Sequence, residues 1–516
     1  MSAFAVYELT VEREGTARPV LDHFSLSLDT GATVVLLGEE GCGKAELLRV
    51  LAGATSGVVS GTLRAGEGEA VRAAKLSQPL VRTAFLPSAA SQPLNPRVSA
   101  LSQLTRIVAR KLGVARGIAR EKLAQGLERL DGAPALAGLD EPAGALSRDV
   151  LAWGLFAAAF AQEPVLLLAD HALSGLAPTQ ARLLVRALLA QQKRQGFALI
   201  YAAMSTEEAA WLAGRVLVMR HGKVVEDAPI AALASAPSHA YTQTFFKAVN
   251  ADAQAGPAAK PTGRGQPVIQ AYNLELGPEH DRRGGLSFEL RRGASLALLG
   301  EEGSGRRALV RVLLGLERPR KGRVVLDAVD AGILAEKMLL RLRRRVAIVA
   351  GADDVLDPRM TLWDTVAEPL RSHLALPRDL VANYRDAALK RVGLATLPGT
   401  RAVAELSAFD KRRLQVARAI VTAPLLAVID EPLRGLDAFA QSVMRDLLRN
   451  FRAQEGPAFL VVTSDFAVAR ALCEDAMVLK SGHVIERGAI AGLARAPKEA
   501  QTRALIEASL GTAPVP

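Results

Sequence analysis

The fold is decided by residues 34–45, which read VVLLGEEGCGKA, and by residues 296–307, which read LALLGEEGSGRR. In both stretches an apolar run leads into a glycine-rich loop, and a helical pattern follows. The backbone N–H groups of such a loop, together with the start of the helix, can surround a phosphate group. The two stretches therefore predict two phosphate-binding loops, each placed between a buried strand and a helix.

The first loop keeps the glycines and the cation of this pattern. The glycines are Gly38, Gly41 and Gly43, and Lys44 stands where a lysine neutralises the β- and γ-phosphates. Ala45 replaces the Ser or Thr whose hydroxyl binds Mg²⁺. Because alanine has no oxygen to offer a metal, we expect a phosphate site with an incomplete metal site.

The second loop keeps Gly300, Gly303 and Gly305 but has Arg306 and Arg307 at the Lys and Ser/Thr positions. An arginine can pair with phosphate, although its planar fork is larger than an ammonium group and does not fit the same hole. We expect the two arginine side chains to fill their own phosphate loop, at least in part. For both loops the alternative is a glycine turn that binds no ligand.

The interval between the two loops recurs further along the chain. Residues 166–171 read LLLADH and residues 426–431 read LAVIDE, so Asp170 and Asp430 lie about 260 residues apart. The two loops are separated by almost the same distance in sequence. A fixed spacing between similar segments indicates a duplicated unit.

The duplication predicts two domains, residues 1–250 and residues 267–516. Residues 251–266 are rich in Ala, Gly and Pro and have no apolar period, which predicts a flexible linker. In each half, short apolar runs alternate with helical patterns. This alternation predicts an α/β fold, in which each domain has a mostly parallel sheet with flanking helices, and each half is long enough for a helical subdomain.

The composition is that of a globular protein, with 50% hydrophobic and 23% charged residues. Two cysteines cannot form a disulfide framework, so we expect a reducing cytoplasm. We expect no signal peptide at residues 1–9. The longest uncharged apolar run, near residues 150–161, is too short to span a bilayer and predicts a buried helix.

The net charge of +11 would suit either nucleic acid or anionic lipid headgroups as a partner. Aromatic residues make up only 4% of the chain, which is too few for stacking on single-stranded nucleic acid. We therefore expect no nucleic-acid partner.

Two phosphate loops, each followed by an apolar run and an aspartate, resemble a tandem ABC transporter ATPase. Residues 94–98 (LNPRV) and 356–361 (LDPRMT) are similar to the segment after the Q-loop in the oligopeptide, dipeptide and nickel importer branch. Residues 236–242 (APSHAYT) are similar to the C-terminal tail of that branch, and residues 496–502 (APKEAQT) are a weaker copy. The resemblance covers nearly the whole chain.

This resemblance implies an ATP-binding subunit of an importer for a peptide-like or nickel-like solute. Such a subunit binds ATP and Mg²⁺ and works under membrane permease subunits, as a peripheral protein on the cytoplasmic face of the cell membrane. The two halves are then expected to pair with each other or with a second copy. Each nucleotide would lie between the phosphate loop of one half and the signature loop of the other.

The resemblance also assigns roles to single residues. Ser147 and Ser407 are the serines of the signature loops, which have lost their glycines. Asp170 and Asp430 are the aspartates that organise Mg²⁺. Glu431 stands at the position of the catalytic base that orients water.

The first half has His171 at the position of that base, so neither half has a complete set of catalytic groups. Because the loss of one positioned catalytic group costs orders of magnitude in rate, hydrolysis is expected to be slow or absent. The alternative is a catalytically inactive pseudo-ATPase that acts as a scaffold or regulatory partner of a membrane or maturation complex. A tandem translation factor is a weaker alternative, because such proteins keep intact signatures and a long charged linker.

Overall fold

The computed structural model describes most of the chain. It covers residues 2–13, 18–54, 57–66, 68–75, 78–88, 93–212, 214–254, 265–275, 285–330, 342, 344–351, 355–374 and 376–510. The chain divides into two compact units. The first is built mainly from Met1–Ala248, and the second mainly from Val249–Leu436 and Ala440–Gly511.

The first unit combines strands and helices in alternation. Its strands are β1 (Ser2–Glu12), β2 (Leu21–Asp29), β3 (Thr33–Leu37), β4 (Val58–Ala65), β5 (Val71–Arg72), β6 (Thr83–Leu86), β7 (Leu166–Asp170), β8 (Ala198–Ala202), β9 (Arg215–Arg220) and β10 (Lys223–Pro229). Its helices are α1 (Lys44–Leu51), α2 (Ala100–Leu112), α3 (Arg116–Glu128), α4 (Arg148–Phe160), α5 (Pro178–Gln195), α6 (Thr206–Leu212), α7 (Ile230–Ser235) and α8 (Ala240–Gln254).

Two sheets form this unit. The larger sheet has the strand order β10-β9-β3-β8-β7-β6 and is parallel except for β10, which pairs antiparallel with β9. Its central strands are buried along their length, because helices cover the sheet on both faces. The smaller sheet has the order β2-β1-β4-β5 and is antiparallel. Helices α2, α3 and α4 pack against one another as a helical subdomain.

The second unit repeats this plan. Its strands are β11 (Pro267–Glu275), β12 (Leu286–Arg291), β13 (Ser295–Leu299), β14 (Lys321–Leu326), β15 (Val329–Asp330), β16 (Val346–Ala350), β17 (Leu426–Asp430), β18 (Ala458–Thr463), β19 (Asp475–Lys480) and β20 (His483–Ala489). Its helices are α9 (Arg306–Leu313), α10 (Leu362–His373), α11 (Arg378–Arg391), α12 (Ala408–Ile420), α13 (Ala438–Glu455), α14 (Phe466–Leu472), α15 (Ile490–Arg495) and α16 (Ala500–Leu510).

The strand order of the second unit matches that of the first. The larger sheet runs β16-β17-β18-β13-β19-β20, and the smaller one runs β12-β11-β14-β15. The predicted α/β fold with two similar domains is therefore confirmed. In both units the phosphate-loop strand lies in the middle of the larger sheet. Its loop opens at the same carboxyl edge as the strand that carries the aspartate, with β8 or β18 between the two strands.

Sequence reasoning did not identify the antiparallel sheets. Along β2, buried and exposed residues alternate, which is typical of a sheet with one covered face. The prediction used continuous apolar runs, and these reveal only strands that are buried on both faces. The buried helix predicted near residues 150–161 is confirmed, because α4 is buried along most of its length.

The first four residues of the predicted linker, residues 251–266, are helical. Helix α8 continues to Gln254, because alanine-rich sequence favours a helix once one has begun. Residues 255–264 lie outside the described part of the chain, so the linker itself stays a prediction. The helices that the structure describes include none that is both long and apolar enough to cross a bilayer.

A glutamate fixes the C-terminal helix of the first unit. Glu226 on β10 accepts hydrogen bonds from the backbone N–H groups of Ser238 (2.7 Å) and His239 (3.0 Å), just before α8 begins. Burial raises the pKa of Glu226, but the hydrogen bonds from Ser238, Thr242 and His239 outweigh it and lower the pKa to about 2. The tail motif at residues 236–242 therefore brings two backbone N–H groups to Glu226, and these contacts hold the start of α8.

The second unit carries the same arrangement. Glu486 on β20 accepts the backbone N–H groups of Lys498 (2.9 Å) and Glu499 (3.2 Å) before α16. The weaker copy of the tail motif at residues 496–502 thus makes the same backbone contacts as the first tail. These contacts need only backbone N–H groups and one glutamate.

Candidate functional site

The first phosphate loop holds its lysine inside the loop. Strand β3 leads into Gly38, and α1 begins at Lys44, whose side chain is buried with only 4% of its surface exposed. The Lys44 Nζ atom donates to the carbonyl oxygens of Gly38 (2.5 Å) and Glu39 (3.1 Å). The ammonium group therefore lies against the loop backbone, where a phosphate would meet it.

Two glycines of this loop are required by close packing. A Cβ atom on Gly38 would lie 2.3 Å from the carbonyl oxygen of Met219, and one on Gly43 would lie 2.8 Å from that of Val20. Both residues also have positive φ angles, 150° and 109°. The loop thus has the backbone that the sequence predicts, with Gly41 at a φ of 80°.

Asp170 is the last residue of β7, which β8 separates from β3, and His171 follows it. The Asp170 Oδ1 atom is buried, and the described part of the chain offers it no hydrogen-bond partner. Burial raises the pKa of Asp170, while Arg49 and Lys44 act in the opposite direction. Burial, and then the charge of Lys44, lower the pKa of His171 to about 4. His171 is therefore neutral at pH 7, so this position holds a buried imidazole instead of a carboxylate.

The second phosphate loop has similar glycine φ angles but has an arginine where the first loop has Lys44. Gly300, Gly303 and Gly305 have φ angles of 156°, 80° and 93°, close to those of the first loop. Helix α9 begins at Arg306, whose Nη1 atom donates to the Oε1 atom of Glu431 at 3.1 Å. Both side chains are buried. The guanidinium of Arg306 thus reaches the carboxylate that was predicted as the catalytic base.

Three donors hold the Glu431 carboxylate. Its Oε1 atom also accepts the backbone N–H of Ser464 (2.9 Å), and its Oε2 atom accepts the hydroxyl of Thr463 (3.1 Å). Burial raises the pKa of Glu431, but Arg434 and Arg306 outweigh burial and keep the pKa below its usual value. Glu431 is therefore an ionised carboxylate in a buried ion pair.

Arg307 faces the other carboxylate of this strand end. Its Nε atom lies 3.9 Å from the Oδ2 atom of Asp430, and its side chain is 69% exposed. Burial and the charge of Glu431 raise the pKa of Asp430, and the charges of Arg307 and Arg306 lower it. The head groups of both arginines thus contact carboxylates at the end of β17, and that they fill their own phosphate loop at least in part stays a prediction.

The comparison with protein families agrees with this geometry. The model of the ABC transporter family matches residues 21–174 and 284–434, which together are more than half of the chain. The chain belongs to the ABC transporter family. Each match contains one phosphate loop and the aspartate that follows it, so the duplication predicted from the sequence is a duplication of the ABC domain.

Curated relatives of the same architecture match along nearly the whole chain. An uncharacterized ABC transporter ATP-binding protein, YejF of Escherichia coli, is 28% identical over 98% of this chain and 99% of its own length. The glutathione import ATP-binding protein GsiA of Pectobacterium atrosepticum is 27% identical over 96% and 87%. Among solved structures, cbiO1 of Clostridium perfringens, part of the ABC transporter complex cbiONQ, covers 44% of this chain and 90% of its own, with 26% identity and a TM-score of 0.40.

The two serines predicted to belong to signature loops, Ser147 and Ser407, begin helices. The hydroxyl of Ser147 accepts the backbone N–H of Val150 (3.3 Å) at the start of α4, and the hydroxyl of Ser407 accepts that of Asp410 (3.1 Å) at the start of α12. Each serine is therefore an N-cap, which stabilises its helix without any ligand. Their role in nucleotide binding stays a prediction.

Sequence reasoning missed one buried residue of the second ABC domain. The fully buried Arg412 of α12 donates to the carbonyl oxygens of Gly351 (2.6 Å), Pro432 (3.3 Å) and Glu431 (3.4 Å). Arg412 thus connects α12 to the residues that follow β16 and β17. Its sequence neighbours Lys411 and Arg413 are charged, and the signal that could have identified it is its spacing of three residues from the buried Gln415, which places both on one face of the helix.

The two domains differ in how well they fit the ligands of an ABC ATPase. The first fits a phosphate, because Lys44 and the loop glycines are in place. For Mg²⁺ it offers the unpartnered Oδ1 atom of Asp170 but no hydroxyl at Ala45. The second fits Mg²⁺ less well. Among the described residues its Asp430 Oδ1 atom also has no hydrogen-bond partner, but Arg307 stands at the hydroxyl position and its Nε atom lies 3.9 Å from the Asp430 Oδ2 atom. Within the described ranges no group of three or more metal-binding side chains is found.

Proposed function

We propose that this chain is the ATP-binding subunit of an ABC importer for a peptide-like or nickel-like solute, with slow or no ATP hydrolysis. The observation that carries the proposal is the buried Lys44, which lies inside a phosphate loop that keeps its three glycines. The importer role is supported by relatives that match along nearly the whole chain, one of them named for glutathione import.

Nucleotide binding is proposed for the first domain. The Lys44 ammonium is held by two carbonyl oxygens, which phosphate oxygens can replace with stronger, charge-assisted hydrogen bonds. Gly38, Gly41 and Gly43 would leave the loop N–H groups free to surround the β-phosphate. ATP, with Asp170 as the remaining carboxylate for Mg²⁺, is the cofactor that this set suits best, and Ala45 would weaken the metal contact.

Slow hydrolysis is proposed because neither domain has a free carboxylate base. His171 is neutral and buried, and Glu431 is held by Arg306, Ser464 and Thr463. A positioned general base typically contributes roughly 10²–10⁴-fold to a rate. Its loss in both domains would leave binding intact and turnover strongly reduced.

The proposed partners are the membrane permease subunits of an importer, with the chain bound to them on the cytoplasmic face of the membrane. Pairing of the two ABC domains with each other or with a second copy belongs to the same proposal. The chain would have no nucleic-acid partner, since its aromatic content is 4%.

A second candidate is a catalytically inactive scaffold or regulatory partner of a membrane or maturation complex. The buried pair of Arg306 and Glu431 favours it, because this pair neutralises a catalytic carboxylate within the protein itself. The two candidates share the fold and differ in whether nucleotide is bound and turned over.

Nucleotide titration of the purified full-length chain separates these candidates. With Mg²⁺ and ATPγS followed by calorimetry, we expect binding that Lys44→Ala weakens, because the first site is lost, and that the exposed-residue control Lys111→Ala leaves unchanged. Absence of binding at millimolar nucleotide would contradict the importer proposal. Phosphate release at an ordinary transporter rate, lost in Glu431→Gln, would contradict slow hydrolysis.

A further inference from the structure

We propose that the second ABC domain binds a nucleoside polyphosphate without a divalent metal, because the guanidinium of Arg307 takes the place of the cation beside Asp430. This inference rests on the proposed function, since it concerns the second site of the same ATP-binding subunit. It specifies the ligand of that site as a metal-free nucleotide.

The first argument is the position of Arg307. It follows Arg306 at the start of α9, where the phosphate-loop pattern has the hydroxyl that binds Mg²⁺. Its Nε atom lies 3.9 Å from the Asp430 Oδ2 atom. A guanidinium has only donors and a permanent positive charge, so it cannot ligate a metal and repels one at this carboxylate.

The second argument is that Glu431 is occupied. Both of its carboxylate oxygens accept hydrogen bonds, from Arg306, Ser464 and Thr463. A divalent ion that took Glu431 as a further ligand beside Asp430 would have to break a buried ion pair, which would leave the buried Arg306 charge uncompensated. Such disruption is strongly unfavourable.

The third argument is that the means of binding phosphate remain. The loop glycines keep the φ angles of the first domain. Ser304, in the middle of the loop, is 5% exposed, and the described residues give its Oγ atom no hydrogen-bond partner. A phosphate oxygen would satisfy such a buried hydroxyl.

One arginine at this loop is open to an entering phosphate. Arg306, Arg307 and Arg434 act on the two carboxylates of Asp430 and Glu431, and Glu301 and Glu302 of the loop add two further negative charges. The side chain of Arg307 is 69% exposed, so an entering phosphate can reach its guanidinium while that group stays beside Asp430. A charge-assisted contact of this kind is stronger than one between neutral groups.

The test uses the full-length Lys44→Ala chain, in which the first site is disabled, and follows ATPγS binding with Mg²⁺ or with EDTA. We expect the same affinity in both conditions. Arg307→Ala should weaken binding about tenfold, whereas Arg311→Ala, which removes an exposed arginine of the same helix, should not. Arg307→Ser should make binding weaker in EDTA than in Mg²⁺.

Three results would overturn the inference: loss of binding in EDTA by the Lys44→Ala chain, no binding by that chain in either condition, or binding insensitive to Arg307→Ala. Circular dichroism of each variant verifies folding, and Arg307→Lys gives a second variant that keeps the charge. The proposed function fails separately, if the unaltered chain binds no ATPγS or if Lys44→Ala changes nothing.

Discussion

At the scale of the residue, the charged group of the first residue of the loop helix decides which atoms that residue contacts. The ammonium of Lys44 stays with the carbonyl oxygens of its own loop, whereas the longer guanidinium of Arg306 reaches Glu431. The sequence identifies these residues but not their partners, because the reach and direction of a side chain follow from the packing around it. Ala45 needs no structure to interpret, since it lacks an oxygen in any conformation.

Breaking the pair of Arg306 and Glu431 should destabilise the second domain. Arg306→Met leaves the buried carboxylate without its cation, which typically costs about 3–5 kcal/mol. The double variant with Glu431→Gln should recover much of that loss, because both charges are then removed. Urea unfolding, followed by a probe in the second domain, measures the difference, and equal losses in the single and double variants would contradict the pairing.

At the scale of the element, single hydrogen bonds fix where helices begin. Ser407 caps α12, so Ser407→Ala should lower the free energy of unfolding of the second domain by about 1 kcal/mol. Ser407→Asp should retain most of the stability, because aspartate is also a good N-cap. A nucleotide-independent loss of this size in thermal unfolding would separate the capping role from a role in binding.

The cap of α8 should make stability depend on pH in the acid range. The pKa of Glu226 falls from 4.5 to about 2 on folding, so its contribution is fully present above the unfolded value and is lost as the pH drops toward the folded one. Glu226→Gln should therefore destabilise the first domain at neutral pH and less so at about pH 3. Denaturation of both proteins at the two pH values measures this, and a constant difference would contradict it.

At the scale of the whole molecule, the sequence predicted the two domains but not the antiparallel sheet that each of them contains. The repeated loops and aspartates predicted two α/β domains, because parallel strands buried on both faces produce long apolar runs. The antiparallel sheets were missed because β2 alternates instead. The buried Arg412 was missed because it is surrounded in sequence by charges, and only its spacing from Gln415 indicated the buried face.

The central claim is that the chain has kept a phosphate site in its first domain and has no free catalytic base. Steady-state phosphate release by the full-length chain with saturating Mg²⁺ and ATP tests it most directly. The account predicts a rate at least roughly 10²-fold below the ordinary enzymatic range, and no further loss in Glu431→Gln. A rate of about 10 per second that disappears in Glu431→Gln would contradict it.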